Sequence, residues 1–376
     1  MKSLNLERPA ALFLFLFLFY SAPLAQTPTP LPVATPKISE EEQVVKVDSR
    51  LVVVPVSVTD AKGEPILGLK AQDFRIIEES RSQVVENVGN AENVPLEIAL
   101  LFDVSATTSS MFKFQQETAA KFLREVLRPV DRAVIYTVGD KPRLVNPRDT
   151  ADASISAMRL IIPTKQSTAF FDSVSAAAEY LQKNAPSGTR RVVVVISDGE
   201  DTNSARIAKA IQSGYAKAGE NINKLDNKSL YDLTVRNRND ASVKERALVG
   251  KSLQDADMVF YSINPAGSSY QLNKISVYGQ ENMQQFADQT GGTAFLPRFL
   301  PVDVKDSLQN TGNMRKNQEV LETIFRQLAS ELRAQYLVQY YSDAEFPNNK
   351  FVKLDVGLQN PANLKVRARR GYYVKN

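Results

Sequence analysis

Pro95-Leu96-Glu97-Ile98-Ala99-Leu100-Leu101-Phe102-Asp103-Val104-Ser105-Ala106-Thr107 decides the fold, because an apolar run stops abruptly at an acid followed by two spaced hydroxyls. The run has the length and composition of a central parallel strand covered on both faces. Open α/β sheets bind ligands in the crevice beyond the carboxyl ends of their strands, so Asp103 stands where a site belongs. A second stretch, Arg191-Val192-Val193-Val194-Val195-Ile196-Ser197-Asp198-Gly199-Glu200-Asp201, repeats the design as a β-branched strand ending in an acid. Between the two lies Ser167-Thr168-Ala169-Phe170-Phe171-Asp172, a polar turn that opens a helical pattern.

The carboxylates of Asp103 and Asp198, with the hydroxyls of Ser105, Thr107 and Thr168, make an all-oxygen donor set. Such a set suits a hard cation, Mg²⁺ first, with Mn²⁺ or Ca²⁺ as alternatives. No softer ligand exists in the chain, which has no His and no Cys. Taken alone, Asp103 reads as a strand-end acid accepting backbone N–H bonds from the following turn. Joined in this order with Ser105, Thr168 and Asp198, it reads as a metal ligand, since the combination is far more specific than any one member.

These residues resemble the metal-ion-dependent adhesion site of the von Willebrand factor A fold, whose pattern is D-x-S-x-S, a distant T, and D-G. Here it stands as Asp103-x-Ser105-x-Thr107, Thr168 and Asp198-Gly199. Thr107 departs from the usual Ser; it keeps the hydroxyl and adds a methyl beside the ion. Gly139-Asp140, following the strand-like Asp131-Arg132-Ala133-Val134-Ile135-Tyr136, and Thr290-Gly291-Gly292-Thr293-Ala294-Phe295 are also similar to that fold. Beyond its leader the whole chain resembles a bacterial family related to these domains, in which β segments flank the core and the end reads like Arg370-Gly371-Tyr372-Tyr373. The resemblance implies a doubly wound, mostly parallel α/β sheet flanked by an antiparallel β-sandwich built from both chain ends. It further implies that the ion keeps one coordination position open for an Asp or Glu of a partner protein.

At 376 residues the chain is long for one domain. Hydrophobic content of 43% and charged content of 23% are ordinary for a globular protein. The 46 Lys and Arg against 42 acids form no basic block, which excludes an electrostatic footprint for nucleic acid. Residues 1–25 place Lys2 and Arg8 ahead of Ala10-Ala11-Leu12-Phe13-Leu14-Phe15-Leu16-Phe17-Leu18-Phe19-Tyr20 and a small-residue end at Ala25. This reads as a secretory signal peptide, too short for a dependable membrane span. Pro23 fits the A-x-A cleavage rule poorly, and an uncleaved anchor is the alternative; only in that case does the chain contact a membrane. The expected location is periplasmic, outer-surface or secreted, where the absence of Cys means no disulfide and no lipid anchor on Cys.

Residues 26–43 alternate Thr, Pro and acids and read as a linker. Residues 44–94 hold short β-branched strands, among them Leu51-Val52-Val53-Val54-Pro55-Val56-Ser57-Val58-Thr59 with a turn at Asp60-Ala61-Lys62-Gly63. Residues 95–334 form the A-like core, where strands alternate with helical patterns at 111–127, 151–160, 169–182 and 319–332. Residues 205–256 run long and polar and read as a helical insertion beside the site. Residues 335–376 return to period-two alternation with Asn/Pro turns, hence antiparallel strands. One sandwich made from both ends, or two separate small sheets, are both compatible with that pattern.

Glu200 and Asp201 read as a solvated turn rather than as groups that orient the ligands, Gly139-Asp140 as a turn rather than part of the site, and Asp172 as an acid in the first turn of its helix. Tyr336, Tyr340 and Tyr341 read as half-buried strand tyrosines rather than a glycan platform. An acid at a strand end with a nearby Thr also occurs in haloacid-dehalogenase-like phosphotransferases, but Ser105 replaces the second acid of D-x-D-x-T. No His, Cys nucleophile or phosphate loop compensates, so the chain is expected to be no enzyme and to take no small-molecule substrate. The expected function is an exported, metal-dependent adhesion or assembly module. The competing expectation is a structural envelope scaffold whose metal site is empty.

Overall fold

The computed structural model describes residues 49–105, 112–164, 167–265, 274–301, 306–361 and 363–375, all within the compact unit that begins at Val47. The leader, the linker, residues 44–48 and Thr107 lie outside the described residues. The chain enters on β1 (Arg50–Thr59), whose alternate valines Val52, Val54, Val56 and Val58 are all buried, as period two requires of a strand with one core face. Three shorter strands follow: β2 (Phe74–Glu78), β3 (Arg81–Gln83) and β4 (Asn87–Asn90).

The chain then turns into β5 (Leu96–Asp103), buried at every position. Residues facing alternate sides of β5 enter two separate cores, Ile98, Leu100 and Phe102 one of them and Ala99 and Leu101 the other. Strands β6 (Arg132–Val138), β7 (Arg143–Asp149), β8 (Arg190–Ile196), β9 (Met258–Ile263) and β10 (Ala294–Phe295) complete a sheet of order β10-β9-β8-β5-β6-β7. All its pairings are parallel except that of edge strand β7 with β6.

Helices α1 (Phe112–Val126) and α2 (Ala151–Arg159) cover the first face. The opposite face takes α3 (Phe170–Asn184), where Phe170 and Phe171 pack against Phe286. The polar stretch after β8 folds as α4 (Ala205–Ala218), a 3₁₀ segment (Gly219–Lys224) and α5 (Asn227–Asp255). It is more than an appendage, because Val249 and Leu253 of α5 are core residues of the second face. Helix α6 (Lys274–Thr290) joins that face through Met283 and Phe286, and α7 (Ser307–Arg333) closes the first through Leu321, Phe325 and Leu328. No helix among the described residues is long and apolar enough to cross a membrane.

The chain returns through β11 (Tyr336–Ser342), β12 (Phe351–Leu358), β13 (Lys365–Ala368) and β14 (Gly371–Tyr373). These interleave with the N-terminal strands in two four-stranded sheets, β13-β1-β11-β4 and β14-β12-β2-β3. The sheets share one core in which Val54, Ile76, Val338, Tyr340 and Val352 are fully buried. Both ends of the chain therefore build a single sandwich, and the alternative of two separate sheets is overturned. The half-buried reading fails for Tyr340, which is fully buried, while Tyr341 on the other face of β11 is 49% exposed. Tyr336 is buried as well, donating from its hydroxyl to the Ile66 carbonyl at 2.8 Å.

One ion pair locks the edge of the six-stranded sheet. Arg148 on β7 donates through Nε and Nη2 to the two carboxylate oxygens of Glu97 on β5, each at 2.7 Å, while Glu97 is 1% exposed. Removing one partner of such a pair strands a buried charge at a cost of about 3–5 kcal/mol. Arg148→Ala is accordingly expected to lower the urea midpoint sharply, and Glu97→Gln added to it should recover part of the loss because the stranded charge goes. Equal midpoints for Arg148→Ala and wild type would show that β7 is held without the pair.

Candidate functional site

Strands β5 and β8 are neighbours in parallel register, with Phe102 opposite Ile196, so their carboxyl ends bring Asp103 beside Ser197 and Asp198 one residue further on. Ser197 donates from its hydroxyl to Asp103 Oδ2 at 2.6 Å, and the Ser105 backbone N–H donates to Asp103 Oδ1 at 2.9 Å. The Gly199 N–H donates in turn to Ser197 Oγ at 3.0 Å. Asp198 Oδ1 accepts the Glu200 N–H at 3.0 Å, a turn closed by the acid on its own backbone. Asp103, Ser105, Thr168 and Asp198 are all buried, at 1%, 4%, 5% and 6% exposure.

Burial, and next the nearby charge of Asp198, push the Asp103 carboxyl from its ordinary 3.8 up to about 7, against the opposing hydrogen bonds of Ser197 and Ser105. A carboxyl disfavoured in its ionised form by burial and by a neighbouring acid, ringed by hydroxyls, belongs to a donor set that a hard divalent cation would relieve. The residues present therefore fit such an ion. Only two acids stand in this set, and among the described residues no group of three or more Asp, Glu, His or Cys side chains is placed to hold a metal ion.

Thr168 is brought in by its backbone. Its N–H donates to Thr202 Oγ1 at 2.8 Å, and its carbonyl accepts from the Thr202 and Asn203 N–H groups at 2.8 and 2.9 Å. The loop before α3 is thus laced to the loop after β8, the one that carries Asp198. The Ala169 N–H also donates to the Gly139 carbonyl at 2.6 Å, and Asn203 donates to the Asp140 carbonyl at 2.8 Å, tying in the turn after β6.

Residues 98–200 match the family model described as von Willebrand factor type A domain. That stretch is a von Willebrand factor type A domain. Domains of this family commonly serve as protein-interaction or adhesion modules. The chain is similar to the solved structure of an aerotolerance-related membrane protein from Bacteroides fragilis NCTC 9343 (15% identity, 60% of this chain and 98% of that one, TM-score 0.31). It is also similar to BatB from Bacteroides thetaiotaomicron (14% identity, 61% and 98%, TM-score 0.32). A third is the vWF domain of the type V pili tip protein Mfa5 from Porphyromonas gingivalis (10% identity, 61% and 95%, TM-score 0.36). No curated protein matches the chain.

Around the A domain's site the structure corrects one reading and adds residues to it. Asp201 is no solvated turn: it is 6% exposed, and its oxygens accept the Phe171 N–H at 2.9 Å and the Ser204 N–H at 3.0 Å, together with the Ser204 hydroxyl. It caps the starts of α3 and α4 from one point, and burial holds its carboxyl above the usual range. Asp172 does more than sit in a first turn, since its Oδ2 accepts the Ala205 N–H of α4 at 2.8 Å. Glu200 accepts the Ser276 hydroxyl, and burial raises its carboxyl too.

Nothing in the local sequence pattern singles out Ser197 or Gly279. Ser197 earns its place only through cross-strand register. Gly279 lies in α6, where a Cβ would come within 2.6 Å of the Asp198 carbonyl and 2.8 Å of the Glu200 nitrogen. Opposite it Gly199 takes φ +76°, and a Cβ there would meet the Gly279 carbonyl at 2.3 Å. Gly→Ala in a helix interior ordinarily stabilises by about 0.5–1 kcal/mol. Here overpacking costing about 1–3 kcal/mol outweighs that gain. Gly279→Ala should therefore melt lower than wild type and respond less to Mg²⁺, both read by scanning calorimetry; unchanged melting in EDTA and in Mg²⁺ would mean α6 yields freely.

Proposed function

We propose that the chain is an exported, metal-dependent protein-binding module that serves adhesion or assembly outside the cytoplasm. The observation that carries this reading is the convergence of Asp103 and Asp198 at adjacent strand ends, where burial and mutual charge leave the Asp103 carboxyl at about 7. Asp103, Ser105, Thr168 and Asp198 would hold Mg²⁺, or Mn²⁺ or Ca²⁺, with Thr107 as the fifth residue of the pattern. When bound, such an ion supplies a coordination position that a partner's carboxylate can enter in place of water. The chain's own residues fix that geometry: Ser197 and the Ser105 N–H orient Asp103, the Glu200 N–H orients Asp198, and Thr202 and Asn203 hold the Thr168 loop. The role is binding rather than catalysis, because no His or Cys stands anywhere in the chain and Ser105 takes the place of a second acid.

Calorimetric titration of the purified protein with Mg²⁺ and Mn²⁺ tests the ion, and capture of envelope proteins with Mg²⁺ or EDTA in the buffer tests the partner. Saturable heat together with Mg²⁺-dependent capture is the expected result. Absence of saturable heat would leave the chain as a scaffold.

A further inference from the structure

At the opposite end of the six-stranded sheet, a cavity of about 530 Å³ lies between the amino ends of β8 and β9 and the sandwich strands β1, β11 and β14. By strand rise it is roughly 25 Å from Asp198, since Arg190 opens the strand that Asp198 follows. Five cationic side chains line it, Arg50, Arg190, Arg191, Arg369 and Lys375, against a single acid, Asp257. Asp257 is already engaged, accepting from Arg369 Nη1 at 2.7 Å.

The donors on this wall are underused. Arg190 sends Nη1 and Nη2 to one acceptor, the Leu332 carbonyl, both at 2.9 Å, and Arg191 Nη1 donates to the Ala256 carbonyl at 3.1 Å. Among the described residues neither guanidinium is within ion-pair distance of an acid. The Nε–H groups of Arg190, Arg191 and Arg369, and the Gln335 amide nitrogen, are buried with no hydrogen-bond partner. Buried donors on charged groups are costly to leave unmatched. Burial pushes the Arg190 guanidinium down to about 10, outweighing the nearby Tyr261 and Asp131.

Part of the remaining wall is apolar, with Val53, Pro55, Met258 and Leu337, while Thr189, Gln254 and Gln339 add neutral polar groups, and Leu51 stands 48% exposed beside it. A cavity of this size, apolar with a few convergent polar groups, has the form of a small-ligand site. We propose that it binds a small anionic amphiphile, a carboxylate or phosphate head between Arg191 and Arg369, which bond the adjacent residues Ala256 and Asp257, with a short hydrocarbon body against Leu51, Val53 and Leu337. This site is independent of the ion site on the A domain, and it couples the A domain to the sandwich because both contribute its walls.

The test is calorimetric titration of the full chain in EDTA with octanoate and octyl phosphate, below their micellar concentrations, and with octanol as the uncharged control. Saturable binding of at least one anion, with octanol at least tenfold weaker, is expected. Arg191→Gln should weaken the anion at least tenfold. Asp257→Asn should tighten it severalfold, since the lone acid is lost while the amide oxygen can still accept from Arg369; Asn tolerates the left-handed φ of +51° at that position. The Asp257 variant keeps the proposal testable should Arg191→Gln fail to fold. Absence of saturable binding at millimolar ligand, equal binding of octanol, or an Asp257→Asn variant that binds more weakly would each overturn it. Asp198→Asn should leave the anion affinity unchanged, so loss of the metal-site reading and loss of this one are separate results.

Discussion

Without divalent ions the wild-type protein should lose stability as pH rises from about 4 to about 7, and Mg²⁺ should offset most of that loss. The Asp103 carboxyl is held at about 7 in the fold, raised first by burial and then by Asp198, against an ordinary 3.8. Between those values the native state keeps a proton that the unfolded chain has released, so linkage makes stability fall with rising pH and level off above the folded value. At about 1.4 kcal/mol per unit, the whole window is worth on the order of 4 kcal/mol. An ion bound by the ionised pair opposes this and stabilises by mass action, about 2.7 kcal/mol at one hundred times its Kd. Asp198→Asn keeps the oxygen that accepts the Glu200 N–H but removes the charge. It should therefore melt higher than wild type in EDTA at pH 8, show a shallower pH slope, and ignore Mg²⁺. Some slope persists because burial of Asp103, the larger cause, is untouched. Scanning calorimetry at pH 5, 6.5 and 8, with and without 5 mM Mg²⁺, reads all of this. A wild-type melting point indifferent to Mg²⁺ and Mn²⁺ would retire the metal centre.

Much of this site was legible because its chemistry is written at strand ends. β5 and β8 are continuous apolar runs, and an acid closing such a run has few places to go except the crevice. Ser197 was not legible, since its hydroxyl faces Asp103 only after Phe102 and Ile196 are set opposite each other, a fact of register rather than of local pattern. Asp201 was misread for a related reason. Its stretch is polar and looks solvated, yet α3 and α4 start on either side of it and bury it at 6% exposure. Gly279 looks like an ordinary helix-interior glycine, and only the approach of the Asp198 loop explains it. The polar run at 205–256 hid its core contacts because the buried apolar residues that reach the second face, Ile207 on α4 and Val249 and Leu253 on α5, are few and far apart in the sequence.

The sandwich carried one signal that period two could have yielded. In Phe74-Arg75-Ile76-Ile77-Glu78, alternation places Glu78 on the same side as Phe74 and Ile76, so an acid is aimed at the core. The fold satisfies it from the facing sheet and from its own. Tyr340 and Tyr372 donate to Oε1 at 2.8 and 2.7 Å, and Ser342 donates to Oε2 at 2.7 Å. Glu78 thereby links β2, β11 and β14, strands from both ends of the chain, and replaces apolar packing with a hydrogen-bonded centre. Burial, then the bond to Glu78, raises both tyrosine hydroxyls, the one on Tyr372 to about 12, so each stays a donor at any physiological pH.

Glu78→Ala is expected to be the most damaging single change in the sandwich. Three buried hydroxyls lose a charged acceptor, each such bond being worth about 1.5–3 kcal/mol, and the vacated space adds a cavity cost. A total on the order of 4 kcal/mol or more should move the urea midpoint far below that of wild type, followed by circular dichroism and by tyrosine absorbance. Glu78→Gln should fall between the two, because its amide oxygen still accepts while its NH₂ faces hydroxyls that must now turn round. The sandwich strands β4 and β11, paired with each other, precede β5 and follow α7 in the chain. Loss of their core should consequently appear in both probes at one midpoint rather than as a separate early step. An alanine variant within about 1 kcal/mol of wild type would mean that Tyr340, Ser342 and Tyr372 satisfy one another, and Glu78 would then be a tolerated acid instead of the centre of the sandwich.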